Sequence, residues 1–337
     1  MAVIAVDAMG GDKAPGVIVK GAVTAAQDFG LSIILVGKEE ILEKELSNIS
    51  ISSPLVSIQN ATQIVEMEDA PAEAIRRKRD SSIRVAFDLA KEGKAQAVVS
   101  AGNSGATMAT AMVTMGRIGG VRPAIATILP TLKGAAIMID VGANVDCKPN
   151  HLLQFGIMGS SFAKKILEIN SPKVGLLSIG EENSKGNQQV KRAFDLLSES
   201  GLNFMGNVEG RDVFKGEVDV IVCDGFVGNV SLKLSEGLAE SIMLMLKKEI
   251  QSSFIARIGY LLASSAFKRF KKLVDYAEYG GAPLLGINGI GIICHGRSGP
   301  TAIRNAIKVA NTLAESNFVD HLSTCMKQKG GLRRVAL

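Results

Sequence analysis

Short apolar runs that stop in a glycine turn and restart with helical spacing recur along this chain. Residues 95–100 are the clearest case: Ala97, Val98 and Val99 make a buried-strand pattern, Gly102-Asn103-Ser104-Gly105 is a turn, and residues 106–115 have helix-forming composition. A helix that starts at a strand end leaves its first N–H groups unpaired and directed above the sheet, where an anion can bind. Residues 3–6 predict a strand ending in Asp7-Ala8-Met9-Gly10-Gly11-Asp12, with Pro15 at a helix start. A helix over 17–29 and a strand over 32–36 then complete a βαβ unit. Ser81 or Ser82 can cap a helix running to residue 90.

The same grammar continues. Strands are expected over 135–140, ending Asp140-Val141-Gly142-Ala143-Asn144, and, after a helix over 152–167, over 173–179, ending Gly180-Glu181-Glu182-Asn183-Ser184-Lys185-Gly186. Two more are expected over 219–223, ending Asp224-Gly225-Phe226-Val227-Gly228-Asn229, and over 287–294, ending His295-Gly296-Arg297-Ser298-Gly299-Pro300. The pattern predicts an α/β fold with a mostly parallel sheet, and in such sheets ligands bind outside the carboxyl ends of the strands. One cleft is therefore expected to gather Asp7, Asp12, Asn103, Ser104, Asp140, Asn144, Glu181, Asn183, Lys185, Asp224, Asn229, His295, Arg297 and Ser298.

Two stretches stand apart. Residues 66–79 run from acidic to basic, ending Arg76-Arg77-Lys78-Arg79, which reads as a solvated helix face or as a docking surface for an acidic protein. Phe254, Ile255, Ile258, Leu261, Leu262, Phe267, Phe270, Leu273 and Val274 share one helical face, interleaved with Arg257, Lys268, Arg269, Lys271 and Lys272. Such a segment, 251–275, suits either a membrane surface or a core or dimer interface. The basic tail over 328–337 is expected to be loose.

Composition narrows the classes. The chain has 337 residues, 47% of them hydrophobic and 21% charged, enough for one α/β catalytic unit with room for two interleaved lobes. Cys147, Cys223, Cys294 and Cys325 show no metal or disulfide spacing, as expected of reduced thiols in the cytoplasm. The opening residues read as a strand and not a signal peptide, and no apolar run is long enough to span a membrane. A net charge of +5 suits an anionic ligand or acidic partner; with three tyrosines and no tryptophan, nucleic acid is not expected. There is no nucleotide P-loop, no dinucleotide fingerprint after a strand and no nucleophile elbow at Ser104. No catalytic metal is indicated, although Asp7, Asp140 and Asp224 would suit Mg²⁺ if they met. The residues alone thus give an α/β enzyme acting on phosphate or a phosphate-bearing substrate.

Taken together, Asp7-Ala-Met-Gly-Gly-Asp12, Ser100-Ala-Gly-Asn-Ser-Gly-Ala106, Asp140-Val-Gly-Ala-Asn144, Gly180 to Asn187, Cys223-Asp-Gly-Phe-Val-Gly-Asn229 and Tyr279 to Gly296 resemble the phosphate acyltransferase (PlsX) family over nearly the whole chain. Lys13, Ser104 and Arg297 depart from that pattern. The resemblance implies a three-layer α/β/α fold related to phosphate acetyltransferases and to isocitrate and isopropylmalate dehydrogenases. It implies a homodimer without cofactor, cytoplasmic and peripherally associated with an anionic membrane surface. It also implies transfer of a fatty acyl group from acyl carrier protein (ACP) to inorganic phosphate, the acyl phosphate passing to a membrane acyl-phosphate:glycerol-3-phosphate acyltransferase for phospholipid synthesis.

Under that resemblance Lys185, Asn229, His295 and Asn144 are the expected catalytic residues. Phosphate would attack the thioester directly, held by helix N-termini and Lys185, with Asn144 or Asn229 steadying the oxyanion and His295 or Lys185 protonating the leaving sulfur. Asp7, Gly10, Gly11, Asp12, Gly102, Asn103, Ser104, Gly105, Asp140, Asn183, Asp224, Gly225, Gly296 and Ser298 would line the substrate site. Phe254, Ile258, Leu261, Leu262 and Phe267 would touch membrane, and either Arg76, Arg77, Lys78 and Arg79 or Lys268, Lys271 and Lys272 would dock ACP. The alternatives are an NAD- and metal-dependent hydroxy-acid dehydrogenase of the related fold, and a membrane-surface scaffold.

Overall fold

A computed structural model describes residues 2–49, 54–274 and 276–329. Its strands, in chain order, are β1 Val3–Asp7, β2 Ser32–Gly37, β3 Val56–Asn60, β4 Ala97–Ser100, β5 Ala124–Thr131, β6 Gly134–Ile139, β7 Lys173–Ser178, β8 Asn203–Glu209, β9 Val220–Val222, β10 Ala282–Leu285 and β11 Gly291–Ile293. The α-helices are α1 Gly16–Phe29, α2 Glu39–Asn48, α3 Pro71–Arg77, α4 Ser82–Lys91, α5 Ser104–Met115, α6 Pro149–Ile166, α7 Gln188–Ser198, α8 Gly225–Ser252, α9 Phe254–Leu262, α10 Ser264–Val274, α11 Pro300–Glu315 and α12 Phe318–Gln328.

Alternation along the strands divides the core. Ile4, Val6, Ala97 and Val99 face one side with α1, α6, α11 and α12; Ala5 and Val98 face the other with α4 and α5. Leu232 brings α8 onto this second side. Helices therefore cover both faces of one sheet, giving three layers.

The strand order is β3-β2-β1-β4-β11-β10-β5-β6-β9-β7-β8. Pairing is parallel from β3 to β11 and again from β6 to β8, but β11–β10, β10–β5 and β5–β6 are antiparallel. Neither β5 nor β10 was expected from the sequence pattern, and they change the picture. Three successive reversals make the carboxyl ends of β1, β4 and β11 point opposite to those of β6, β7 and β9. The expectation of a single row of turns is thus corrected: the turns form two groups, one at residues 7–12, 100–105 and 295–298, the other at 140–144, 180–187 and 224–229.

The acidic-to-basic stretch 66–79 holds only the short α3, begun by Pro71. The amphipathic stretch at 254–274 is two helices, α9 and α10, following the long α8. Gln328 ends α12, and residues 330–337 of the basic tail lie outside the described residues. Among the described residues no helix is long and apolar enough to cross a membrane.

Candidate active site

The second group of turns is built on Asp140, which follows β6 and is fully buried. Its Oδ1 accepts from the backbone N–H groups of Ile125 (3.0 Å), Gly142 (3.2 Å) and Ala143 (3.1 Å); Oδ2 accepts from Asn144 N (2.7 Å) and Asn144 Nδ2 (2.8 Å). Burial pushes the Asp140 carboxyl above its ordinary value while these donors pull it down. Asn144 is buried and fully engaged, because Nδ2 also donates to Pro123 O (2.8 Å) and Oδ1 accepts from Arg122 Nε. Both residues shape the loop from within.

Helix α8 is seated on that loop. Asp224 caps it by accepting from Val227 N (2.8 Å), and Gly225 N donates to Asn144 O (2.7 Å). A β-carbon on Gly225 would lie 2.8 Å from both Asp140 Oδ2 and Asn144 N, so only glycine permits this approach. Asn229, one turn in, is exposed over Gly142, and its side-chain amide has no partner among the described residues.

The neighbouring loop after β7 carries Asn183 and Lys185, both exposed, and the Lys185 ammonium has no partner among the described residues. Asn207 Nδ2 ties this loop down by donating to Glu182 O (2.9 Å), and Asn187 caps α7 by accepting from Val190 N (2.9 Å). Between it and the first turn of α8 lies a cavity of about 180 Å³ with Leu152, Leu176, Ile179, Val190 and Val227 in its walls. Two thiols stand nearby. Burial and the charges of Asp140 and Asp224 push Cys147 up to about 12 and Cys223 well above the ordinary thiol value, so neither supplies a thiolate nucleophile.

The first group is pinned by Asp7. It is buried, its Oδ2 accepts from Ser100 Oγ (2.7 Å) and its Oδ1 from Met9 N (3.3 Å), and burial raises its carboxyl above the ordinary value. Gly102 N donates to Ser100 Oγ (3.1 Å), and Asp12 N donates to Gly296 O (2.9 Å), tying three turns together. Gly10 and Gly11 lie against Gly102 and Gly296: a β-carbon on Gly10 would stand 2.8 Å from Gly102 N, and one on Gly11 3.3 Å from Gly296 O. Asn103 caps α5 by accepting from Ala106 N (3.0 Å) and donates to the carbonyls of Met67 (2.8 Å) and Asp69 (2.9 Å). Pro71 lies over Gly105, so residues 66–71 run along the N-terminus of α5. Ser104 and Asp12 are exposed, Ser298 is buried, and His295 is half-buried.

Helix α8 brings the groups within one turn of each other. Four residues beyond Asn229, Lys233 Nζ approaches His295 Nε2 to 2.6 Å. Residues four apart share a helix face about 6 Å apart, so Asn229 on the second group and Lys233 against the first line one cleft. Lys233 and Arg122 were not singled out from the sequence. Arg122 precedes β5 instead of ending a strand, is exposed, and its terminal guanidinium nitrogens have no partner among the described residues. Lys233 lies mid-helix, with no turn residue to mark it.

Away from the cleft, Arg76 and Arg79 are exposed, Arg77 pairs with Glu73 (2.6 Å), and Lys78 is held by Asp69 and donates to Ile64 O (2.8 Å). Phe254, Ile258, Leu261 and Leu262 are exposed, the last at 84%, and Phe267 packs on Tyr260 at 5.0 Å between ring centroids. Lys268 is exposed; the side chains of Lys271 and Lys272 lie outside the described set.

The model of a family described as "Fatty acid synthesis protein" matches residues 2–321. The chain is 54% identical over 329 residues to a protein of Trichlorobacter lovleyi named phosphate acyltransferase, covering 97% of this chain and 95% of that one. It is 55% identical over 325 residues to a phosphate acyltransferase of Geobacter sulfurreducens, covering 96% and 94%. Among solved structures it superposes on a phosphotransacetylase from Streptococcus pyogenes with a TM-score of 0.67, at 16% identity and 94% coverage of each chain. A 4-hydroxythreonine-4-phosphate dehydrogenase from Klebsiella pneumoniae superposes with a TM-score of 0.56 at 15% identity, covering 93% of this chain and all of the other. These two likenesses concern the fold.

Proposed function

Because the chain belongs to the fatty acid synthesis protein family, whose curated relatives are phosphate acyltransferases, we propose that it transfers a fatty acyl group from acyl-ACP to inorganic phosphate. The observation that carries this reading is identity above half over nearly the entire chain to proteins of that name. The geometry supports direct attack by phosphate. Lys185 and Arg122 supply positive charge, the dipole of α8 adds to it, and the nearby cysteines are held protonated.

Phosphate held among these groups attacks the thioester carbonyl, and the Asn229 amide donates to the oxyanion that forms. Asn144, whose amide is occupied within its loop, positions Arg122 and the start of α8. The leaving thiolate, of pKa about 8.5, needs little protonation. The cavity beside Val227 suits the first methylenes of the acyl chain, since its walls are mostly apolar. The exposed apolar residues of α9 suit a membrane surface into which a long-chain product would pass, or a second copy of the chain. The exposed Arg76 and Arg79, or the basic edge at Lys268, suit acidic ACP.

Release of free ACP from palmitoyl-ACP by the purified protein, with and without inorganic phosphate and with a chelator present, tests the reading. Phosphate-dependent release with a hydroxylamine-reactive product is the expected result. No release at any phosphate concentration would overturn it and reopen the dehydrogenase and scaffold readings.

A further inference from the structure

The 2.6 Å contact between Lys233 Nζ and His295 Nε2 fixes the roles of both groups. An ammonium has only donors, so Nε2 must be the acceptor and the neutral ring carries its proton on Nδ1. A ring held in this way has no proton on Nε2 to give. The charged groups acting on it come from three segments: Lys233 and Glu236 on α8, Arg297 in its own loop, and Asp12 after β1. Burial first, then Lys233, hold His295 below its ordinary value, with Arg297 acting in the same sense and Glu236 and Asp12 opposing.

Lys233 is oriented from two sides. His295 Nε2 accepts a hydrogen bond from one of its N–H groups and Glu236 Oε2, three residues on, accepts from another at 2.9 Å. A third N–H remains, on a side chain that is half exposed. Lys233 and Asn229, whose amide has no partner among the described residues, share a face of α8 one turn apart, about 6 Å between their β-carbons by helix geometry.

We propose that Lys233 binds a phosphate oxyanion of the substrates in this cleft and that His295 is the positioning residue that aims it. The proposal rests on the transacylase reading and extends it to a residue outside the set drawn from the sequence. Two substrates carry the required chemistry: inorganic phosphate, and the phosphodiester of the phosphopantetheine arm of acyl-ACP.

Full-length Lys233→Met and Lys233→Arg variants distinguish these sources. Loss of one charge-assisted hydrogen bond should raise one KM by about tenfold or more. A higher KM for phosphate alone assigns Lys233 to inorganic phosphate, and a higher KM for acyl-ACP alone assigns it to the pantetheine arm. The arginine variant should recover most of the loss. NMR titration of the His295 ring, which needs no turnover, should show its pKa rising in the methionine variant as a neighbouring positive charge is removed.

Both KM values within twofold of wild type would overturn the proposal while leaving the transacylase reading intact. Should the methionine variant fail to fold, Lys233→Gln carries the test, because its polar amide is tolerated on a half-exposed helix face: a His295 pKa and both KM values unchanged in that variant would likewise overturn the proposal. Should the wild type release no ACP, the transacylase reading fails. The proposal then stands or falls on whether inorganic phosphate raises the unfolding temperature of wild type but not of Lys233→Met or Lys233→Gln.

Discussion

Gly228 packs so closely on Asp140 that a β-carbon would run into the Asp140 backbone oxygen and come within 2.9 Å of Cys223 Sγ. Gly228→Ala is therefore expected to destabilise the protein by about 1–3 kcal/mol or more, the cost of overpacking against backbone that cannot yield. It should also lower turnover, since α8 carries Asn229 and Lys233. A thermal midpoint unchanged from wild type would show that α8 does not depend on this approach.

Asn144 and Asn229 belong to one residue type in opposite situations. Asn229→Ala removes an exposed amide with no partner among the described residues, so kcat should fall by about 10²–10³ while stability stays within about 0.5 kcal/mol. Asn144→Ala strips a donor from Asp140 and from Pro123 O, and should cost about 1–3 kcal/mol in unfolding free energy. Steady-state kinetics and urea denaturation on the pair check the contrast; equal effects of both variants on kcat and stability would refute it.

Lys185→Met should raise the KM for phosphate by about tenfold or more, the equivalent of one charged hydrogen bond, with little change in melting temperature. Wild-type phosphate dependence in this variant would remove Lys185 from the site.

His151 Nδ1 accepts from Lys148 N (3.1 Å) at the start of α6. Burial first, then Arg122 and Lys148, hold its pKa below 6.5 in the folded protein. Between that value and about 6.5 the unfolded chain binds more protons, so the contribution to stability is full above about 6.5 and is lost as pH falls through the folded pKa. The unfolding free energy of wild type minus that of His151→Gln, from urea denaturation, should shrink between pH 7.5 and 5.5. A difference independent of pH would rule out this linkage.

Leu261 and Leu262 are 69% and 84% exposed. If α9 meets a membrane, replacing both with serine should weaken binding to anionic vesicles on the order of 100-fold, from about 1.5 kcal/mol or more per leucine. Turnover of soluble acyl-ACP should be unchanged. Vesicle cosedimentation equal to wild type would direct attention to a second copy of the chain as the occupant of this face.

Much of the architecture was legible because it is local. The strand at 97–100, its turn and the helix that follows are encoded by an apolar run, a glycine pair and an Asn cap within about twenty residues. The reversal at the sheet centre is not local. β10 is four residues containing Pro283, and its partner β5 lies some 160 residues away in sequence, so no periodicity announces their pairing. The strand-end rule pointed to Asp140, Lys185, Asn229 and His295, which lie at the turns described above, but not to Arg122, at the start of a strand, or Lys233, inside a helix, which lie beside them. Nor does sequence distinguish Asn144 from Asn229: the first is folded inward by Asp140 and Pro123, a fact visible only once the loop closes.

Strand β11, residues 291–293, sits between β4 and β10. During synthesis β4 therefore leaves the ribosome with one flank open, and its neighbour follows roughly ten to forty seconds later at ordinary elongation speeds of about 5–20 residues per second. Throughout that interval the nascent chain presents an unpaired β edge of the kind that recruits foreign strands. His295 arrives only with the last seventh of the chain, so a prematurely terminated product would carry the α8 margin of the cleft without the histidine that faces it.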